Sequence, residues 1–222
     1  MAEKKAKEET KKVDSGKNVE GEADGEACEE NIELPDLGPF EIITGQRMPS
    51  IFFKFQFKNV EYSSGRNKTF LCYLVEEQGT ECKRSEGYVE DEHSSKHAEE
   101  AFFTAVFQTC DGNLSYSIIW YVSSSPCAIC ASKIAEYLNK CPNVKLTIFM
   151  ARLFMWEEPE IQQGLRQLKA AGCRLRVMKT SEYNYCWNTY VENEGETFAP
   201  WEDLQDSSMF YEEKLHEIVQ HA

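Results

Sequence analysis

From residue 51 onward, apolar residues fall into short blocks that follow two rhythms, with Gly, Pro, Asn and Ser between them. Residues 69–76 and 116–122 are strand-length blocks rich in β-branched and aromatic side chains, which suit a pleated, half-buried surface. Residues 144–150 are almost continuously apolar, the pattern of a central strand covered on both faces. Residues 87–89 predict part of a strand pairing with the first, and residues 174–178 the last strand. In between, Ala101, Phe102, Ala105 and Val106 recur at helical spacing and predict a helix over 96–107. A second helix is expected over 127–139, with Pro126 suited to its first position. Pro159 opens a third that runs to 171, where Gly172 stops it. Two more helices follow over 183–191 and 206–220. The aromatic block 51–57 reads as a short helix or strand beneath the sheet, and residues 62–67 as a turn-rich loop. Strands alternating with helices call for a layered α/β fold.

Composition changes this picture mainly at the ends. Residues 1–38 carry twelve acidic and six basic side chains with few apolar ones. Such a segment cannot bury enough surface to offset its ordering entropy. It is expected to be a disordered acidic tail, with a single domain over 39–222. From residue 192 onward there are nine acidic residues and one lysine, so the net charge of −14 is concentrated at the two ends. The middle is neutral, and any affinity for nucleic acid must come from a local basic patch. No apolar stretch is long enough to span a membrane. The first thirty residues lack the apolar segment of a signal peptide. Nine cysteines, scattered through apolar contexts, fit a reduced intracellular compartment, cytoplasmic and nuclear, better than a disulfide scaffold. The strand near Gly87 offers an edge at which a second copy of the chain could pair, giving a homo-oligomer.

The candidate chemistry lies in two short stretches, His97-Ala98-Glu99 and Pro126-Cys127-Ala128-Ile129-Cys130. Alone, the cysteine pair could be a redox CxxC, and the histidine and glutamate two surface residues. Together they have the composition of a catalytic zinc site. Imidazole and two thiolates are ligands Zn²⁺ prefers, and three protein ligands leave one position open for water. Water on such a metal ionises near neutral pH, and Glu99 is placed to move its proton. The twenty-six residues between Glu99 and Pro126 suffice for the rest of a helix, a turn and a strand. Both cysteines would then lie at a helix N-terminus, where backbone dipoles favour thiolate. His93, one turn before His97, competes as a ligand but has no glutamate two residues on.

The pattern H-x-E followed by P-C-x-x-C is the signature of zinc nucleobase deaminases. With the order of elements, it resembles the AID/APOBEC cytidine deaminase family, most closely its muscle-associated branch. The likeness extends over about 39–222. It includes Ser64-Gly65-Arg66-Asn67-Lys68-Thr69-Phe70-Leu71-Cys72-Tyr73, similar to the family's first long strand and its entry. It also includes Ala151-Arg152-Leu153-Phe154-Met155-Trp156-Glu157-Glu158-Pro159, at the family's specificity loop. The resemblance implies a cytidine-deaminase-like layered fold, a five-stranded mixed sheet flanked by about six helices. It implies one Zn²⁺ per chain on His97, Cys127 and Cys130, with Glu99 as the catalytic proton shuttle. Cytosine in single-stranded RNA or DNA would be hydrolysed to uracil by attack at C4 and loss of ammonia, as in mRNA editing or DNA deamination. Substrate contacts are then expected at Asn59, Ser125, Arg152, Phe154 and Trp156. Two positions depart from the family pattern: Ser124 stands where a tryptophan is usual, and Phe154 where a tyrosine is usual. Beside the deaminase reading stand two others, a zinc-stabilised nucleic-acid-binding or regulatory protein on the same scaffold and a deaminase of free nucleosides.

Overall fold

The computed structural model describes residues 43–60, 68–79, 82–90 and 97–220. The acidic segment 1–38, the 62–67 turn with Arg66, and His93 lie outside the described residues. The elements in chain order are β1 (Ile43–Gly45), β2 (Met48–Pro49), α1 (Ser50–Gln56), β3 (Phe70–Gln78) and β4 (Lys83–Glu90). Then come α2 (Ala98–Ala101), which continues into a π-helical turn (Phe102–Val106), β5 (Ser115–Val122), α3 (Ala128–Lys140) and β6 (Val144–Met150). The last are α4 (Pro159–Ala170), β7 (Arg174–Val177), α5 (Thr180–Tyr190), β8 (Val191–Glu192) and α6 (Leu204–Gln220).

The main sheet has the strand order β1-β4-β3-β5-β6-β7. β3 runs antiparallel to both neighbours, while β5, β6 and β7 are mutually parallel, with α3 and α4 as their crossovers. Side chains alternate between two cores, as the period of two in a strand requires. Leu71, Ile118 and Trp120 enter one core with Ile134 of α3, Leu165 of α4 and Leu215 of α6. Phe70, Cys72 and Tyr121 enter the other with Phe53 of α1 and Tyr183, Trp187 and Tyr190 of α5. The sheet is therefore the middle of three layers, in keeping with the expected deaminase-like architecture.

Three details differ from the sequence reading. The sheet has six strands rather than five, because the three residues of β1 pair antiparallel with Tyr88–Glu90, too short a segment to show a hydrophobic period. The 51–57 block is helical. β6 is not covered equally on its two faces: Val144, Leu146, Ile148 and Met150 are buried, whereas Lys145 is exposed and Phe149 half-buried. The Phe149 ring stacks on Tyr121 of β5 at 5.3 Å.

Two glycines set helix positions. Gly172 has φ +87°, a left-handed conformation that costs a residue with a Cβ, and it closes α4 as the sequence predicts. Its N–H reaches Lys169 O and that of Cys173 reaches Leu168 O, both at 3.0 Å. Gly164 lets α4 approach α3 closely. A Cβ there would meet Ala131 Cβ at 3.0 Å and Ala128 Cα at 3.3 Å.

The parallel strands β5 and β6 end side by side, with Val122 opposite Met150. The turns leaving their carboxyl ends are thus neighbours, the usual position of a ligand site in such sheets. The first turn leads into α3 and the second into α4. Among the described residues, no helix is long and apolar enough to cross a membrane.

Candidate active site

His97 and Cys127 occupy equivalent places, each the residue immediately before a helix, with extended backbone at φ −72°. Pro126 consequently lies one residue outside α3 rather than at its first position. Cys130 follows one turn into α3 and is buried, Cys127 is half-buried and His97 is exposed. The three ligand atoms all lie within 4.8 Å of one another. His97 Nδ1 is 3.4 Å from Cys127 Sγ and 3.3 Å from Cys130 Sγ.

Those separations test whether a zinc ion fits. Zn–S bonds of about 2.3 Å and a Zn–N bond of about 2.0–2.1 Å at a tetrahedral angle hold N and S about 3.6 Å apart. The observed spacing is within a few tenths of an ångström of that. The donor set is also prepared for a cation. The Cys127 thiol is lowered to about 5, first by the hydrogen bond from Cys130, with further help from the Cys130 and Ile129 backbone N–H groups and from His97. The same sulfur–sulfur hydrogen bond raises Cys130, so the two sulfurs share one proton. A dication that replaces this proton would bind two thiolates at the positive end of α3.

Glu99 lies in the first turn of α2 and is buried. Burial is the main reason its carboxyl is raised to about 6, opposed by its own backbone N–H and by His97. Its Oε2 is buried with no hydrogen-bond partner. A lone carboxylate oxygen beside three metal-ligating atoms, in a protein interior, is costly unless a ligand or water completes it. Glu99 and Cys130 also line a cavity of about 270 Å³ with Phe103, Lys133, Ile134 and Tyr137. The helix bearing Glu99 widens after one turn: Phe107 N–H bonds to Phe102 O, five residues back, at 2.9 Å. Such π turns are frequent near functional sites, and the helical spacing of Ala101 to Val106 did not announce this one.

A family model named APOBEC2 matches residues 41–220. The chain belongs to the APOBEC2 family. It is 55% identical over 210 residues to the human protein named "C->U-editing enzyme APOBEC-2", covering 92% of each chain. To the mouse protein of the same name it is 54% identical, again over 92% of each.

In this APOBEC2 chain the residues expected at the substrate are distributed unevenly. Ser125 is next to the metal triad, two residues before Cys127, but its hydroxyl is used internally, accepting the Phe154 N–H at 2.8 Å. Its own N–H donates to Arg152 O at 3.0 Å. Those bonds hold the start of the β6–α4 loop, and with it Phe154, against the turn that carries Cys127. Ser123 does likewise on the other side, accepting the Phe70 N–H at 3.0 Å. Ser124, between them, is buried.

Asn59, Arg152 and Trp156 each make contacts within the domain. Asn59 is fully buried, and its amide donates to Leu204 O at 2.9 Å and Ser208 Oγ at 3.0 Å, while Trp201 Nε1 donates to its Oδ1 at 2.7 Å. Both N–H donors are therefore spent on α6. Arg152 is buried and donates to Gln56 O and Lys58 O, tying down the end of α1. Trp156 packs edge-on against Phe210 at 5.8 Å, with the Lys214 ammonium 5.4 Å from its ring. Their anchors are 54 to 149 residues distant in sequence, so local pattern gave no sign of them.

Proposed function

We propose that this APOBEC2 chain is a zinc-dependent hydrolase that converts cytosine to uracil in single-stranded RNA or DNA. The observation that carries the proposal is the buried Glu99 carboxyl, its Oε2 without a hydrogen-bond partner, beside a His97–Cys127–Cys130 cluster of zinc-sized spacing. The relatives' name, a C-to-U editing enzyme, supports the same reaction. His97, Cys127 and Cys130 would hold one Zn²⁺, whose Lewis acidity makes water nucleophilic near neutral pH. Glu99 would take one proton from the attacking water and give it to the pyrimidine ring nitrogen, then move the second from the resulting C4 hydroxyl to the amino group, which departs as ammonia. Its buried, partner-free Oε2 suits that work, because a poorly solvated carboxylate is a stronger base than an exposed one. The Phe154 backbone, fixed by Ser125, forms the adjoining wall on which a base could rest.

A second reading, a zinc-stabilised nucleic-acid-binding protein with little catalysis, is favoured by one set of observations. Asn59, Arg152 and Trp156 are engaged within the domain. One experiment separates the two. Uracil formation is measured on cytosine-containing single-stranded oligonucleotides with wild-type protein and with Glu99→Gln, alongside zinc content and oligonucleotide affinity. Product from wild type alone, at equal zinc, supports the deaminase. Equal zinc and equal binding with no product from either supports the binding protein.

A further inference from the structure

The main sheet presents different surfaces on its two sides. Toward one side Val144, Leu146, Ile148 and Met150 of β6 join the core with Ala98 of α2 and Ile134 of α3, the helices that carry the metal cluster. The alternate residues Lys145, Thr147 and Phe149 point to the other side, where Phe149 packs against the second core. The parallel register sets Thr147 beside Arg174 and Phe149 beside Arg176 of β7, so both arginines share that side with Lys145. Lys145, Arg174 and Arg176 are all exposed. Thr147 is half-buried, as is Ser117 of β5, which lies opposite Lys145. By strand geometry, Arg174 is about 7 Å from Arg176 and about 8 Å from Lys145, Cα to Cα.

These three cations are unspent. Elsewhere on the domain Lys54 pairs with Glu196, Lys68 with Glu90, Arg84 with Glu86 and Lys179 with Glu212. Among the described residues, none of Lys145, Arg174 and Arg176 is in such a pair. In the row of the sheet that contains Lys145, the closest carboxylate is Glu76 of β3, two strands and about 10 Å away. Three positive charges are thus concentrated on one open sheet face of a chain whose net charge is −14. The loop after β6 has the opposite character, with Glu157 and Glu158 exposed.

We propose that the sheet face bearing Lys145, Arg174 and Arg176 is a second binding surface for single-stranded RNA or DNA, gripping its phosphate backbone away from the metal cluster. Cations at regular intervals along extended strands match an extended polyanion with a regular charge repeat, and the Ser117 and Thr147 hydroxyls between them add donors of the kind that phosphates accept. Lys145 lies five residues, about 17 Å of strand, before Met150, the end of β6 from which the chain turns toward the metal cluster. It also lies on the reverse side of the sheet. Contacts of this kind add affinity without sequence preference, because phosphates position a strand and do not identify it. This site rests on single-stranded nucleic acid being the ligand, as proposed above, and not on deamination.

The test uses full-length, zinc-loaded protein and fluorescein-labelled, cytosine-containing single-stranded oligonucleotides, RNA and DNA, titrated by anisotropy over a range of salt concentrations. For single strands the logarithm of affinity falls with that of salt by about 0.7 per phosphate contact. The triple variant Lys145→Gln/Arg174→Gln/Arg176→Gln is expected to bind more weakly at low salt and to flatten that slope by about 2, with unchanged zinc content and melting temperature. Each single variant should flatten it by about 0.7, which keeps the test decisive if the triple variant folds poorly. Lys83→Gln, three strands away on β4, should leave the slope as in wild type. Wild-type slope and affinity in the folded patch variants would overturn this proposal alone. Failure of the wild-type protein to bind either oligonucleotide at low salt would overturn it together with the reading of the ligand. Loss of oligoglutamate binding in the triple variant, with oligonucleotide binding intact, would assign the face to an acidic peptide and overturn it as well.

Discussion

The hydroxyl of Ser125 accepts the backbone N–H of Phe154 at 2.8 Å, joining the turn that opens α3 to the loop that follows β6. One serine thereby fixes the distance between the metal-binding end of α3 and the loop beside it. Ser125→Ala leaves a buried backbone donor without a partner, a loss of about 1–3 kcal/mol. Urea unfolding should show that decrease, with an unchanged m-value. Any deamination should fall with a rise in KM, because the wall beside the base moves while Glu99 stays. A variant as stable as wild type would mean that water replaces the hydroxyl.

Zinc should be present at about one ion per chain in purified protein, since His97, Cys127 and Cys130 provide one three-ligand site. Cys127→Ala removes a thiolate that the first turn of α3 stabilises. The variant is expected to lose most of the metal and to melt at lower temperature, because metal binding is coupled to folding. Elemental analysis decides it: full occupancy in Cys127→Ala would remove that residue from the ligand set.

Gly164→Val should weaken the metal site from a distance. The added Cβ alone lies 3.0 Å from Ala131 Cβ and 3.3 Å from Ala128 Cα, within the first turns of α3 that carry the cysteines. Overpacking of this kind costs about 1–3 kcal/mol. Competition with a chromogenic chelator should reveal faster zinc loss than from wild type. Unchanged chelator kinetics in a folded variant would show that the clash relaxes into α4 alone.

Stability should fall steeply with alkaline pH. Burial raises Cys173 to about 12, and raises Cys72, Cys186 and Tyr183 as well. Above about pH 9 the unfolded chain releases these protons and the folded chain keeps them, so the slope of unfolding free energy against pH is negative. Each such group contributes about 1.4 kcal/mol per pH unit between its unfolded and folded values. For Cys173 the stability is fully present below about pH 9 and is lost as pH rises toward 12. Denaturant midpoints measured from pH 8 to 10.5 should decline, and Cys173→Ala should remove about one proton's worth of slope. An identical slope in that variant would place the lost protons elsewhere.

The His97–Cys127–Cys130 cluster was legible from sequence because each half of it is local. H-x-E and P-C-x-x-C each occupy a helix start, and the intervening strand-length apolar block brings the two starts together in any α/β layering. Strand and helix positions were legible for the same reason, since periods of 2 and 3.6 are properties of neighbouring residues. What sequence could not decide was how side chains with several possible partners would spend them. Nothing near Asn59 in sequence announces its hydrogen bonds with α6 and Trp201, or near Arg152 its bond to the end of α1. The strand β1 has three residues and no period to read, so only β4 beside it makes it a strand. The π turn after α2 arises from packing of Phe102 and Phe107 against Trp120 and Tyr116, not from local propensity. Hydrogen bonds and ring contacts act over a few ångströms, so pairings across such sequence separations exist only once the crossovers have set where each segment ends.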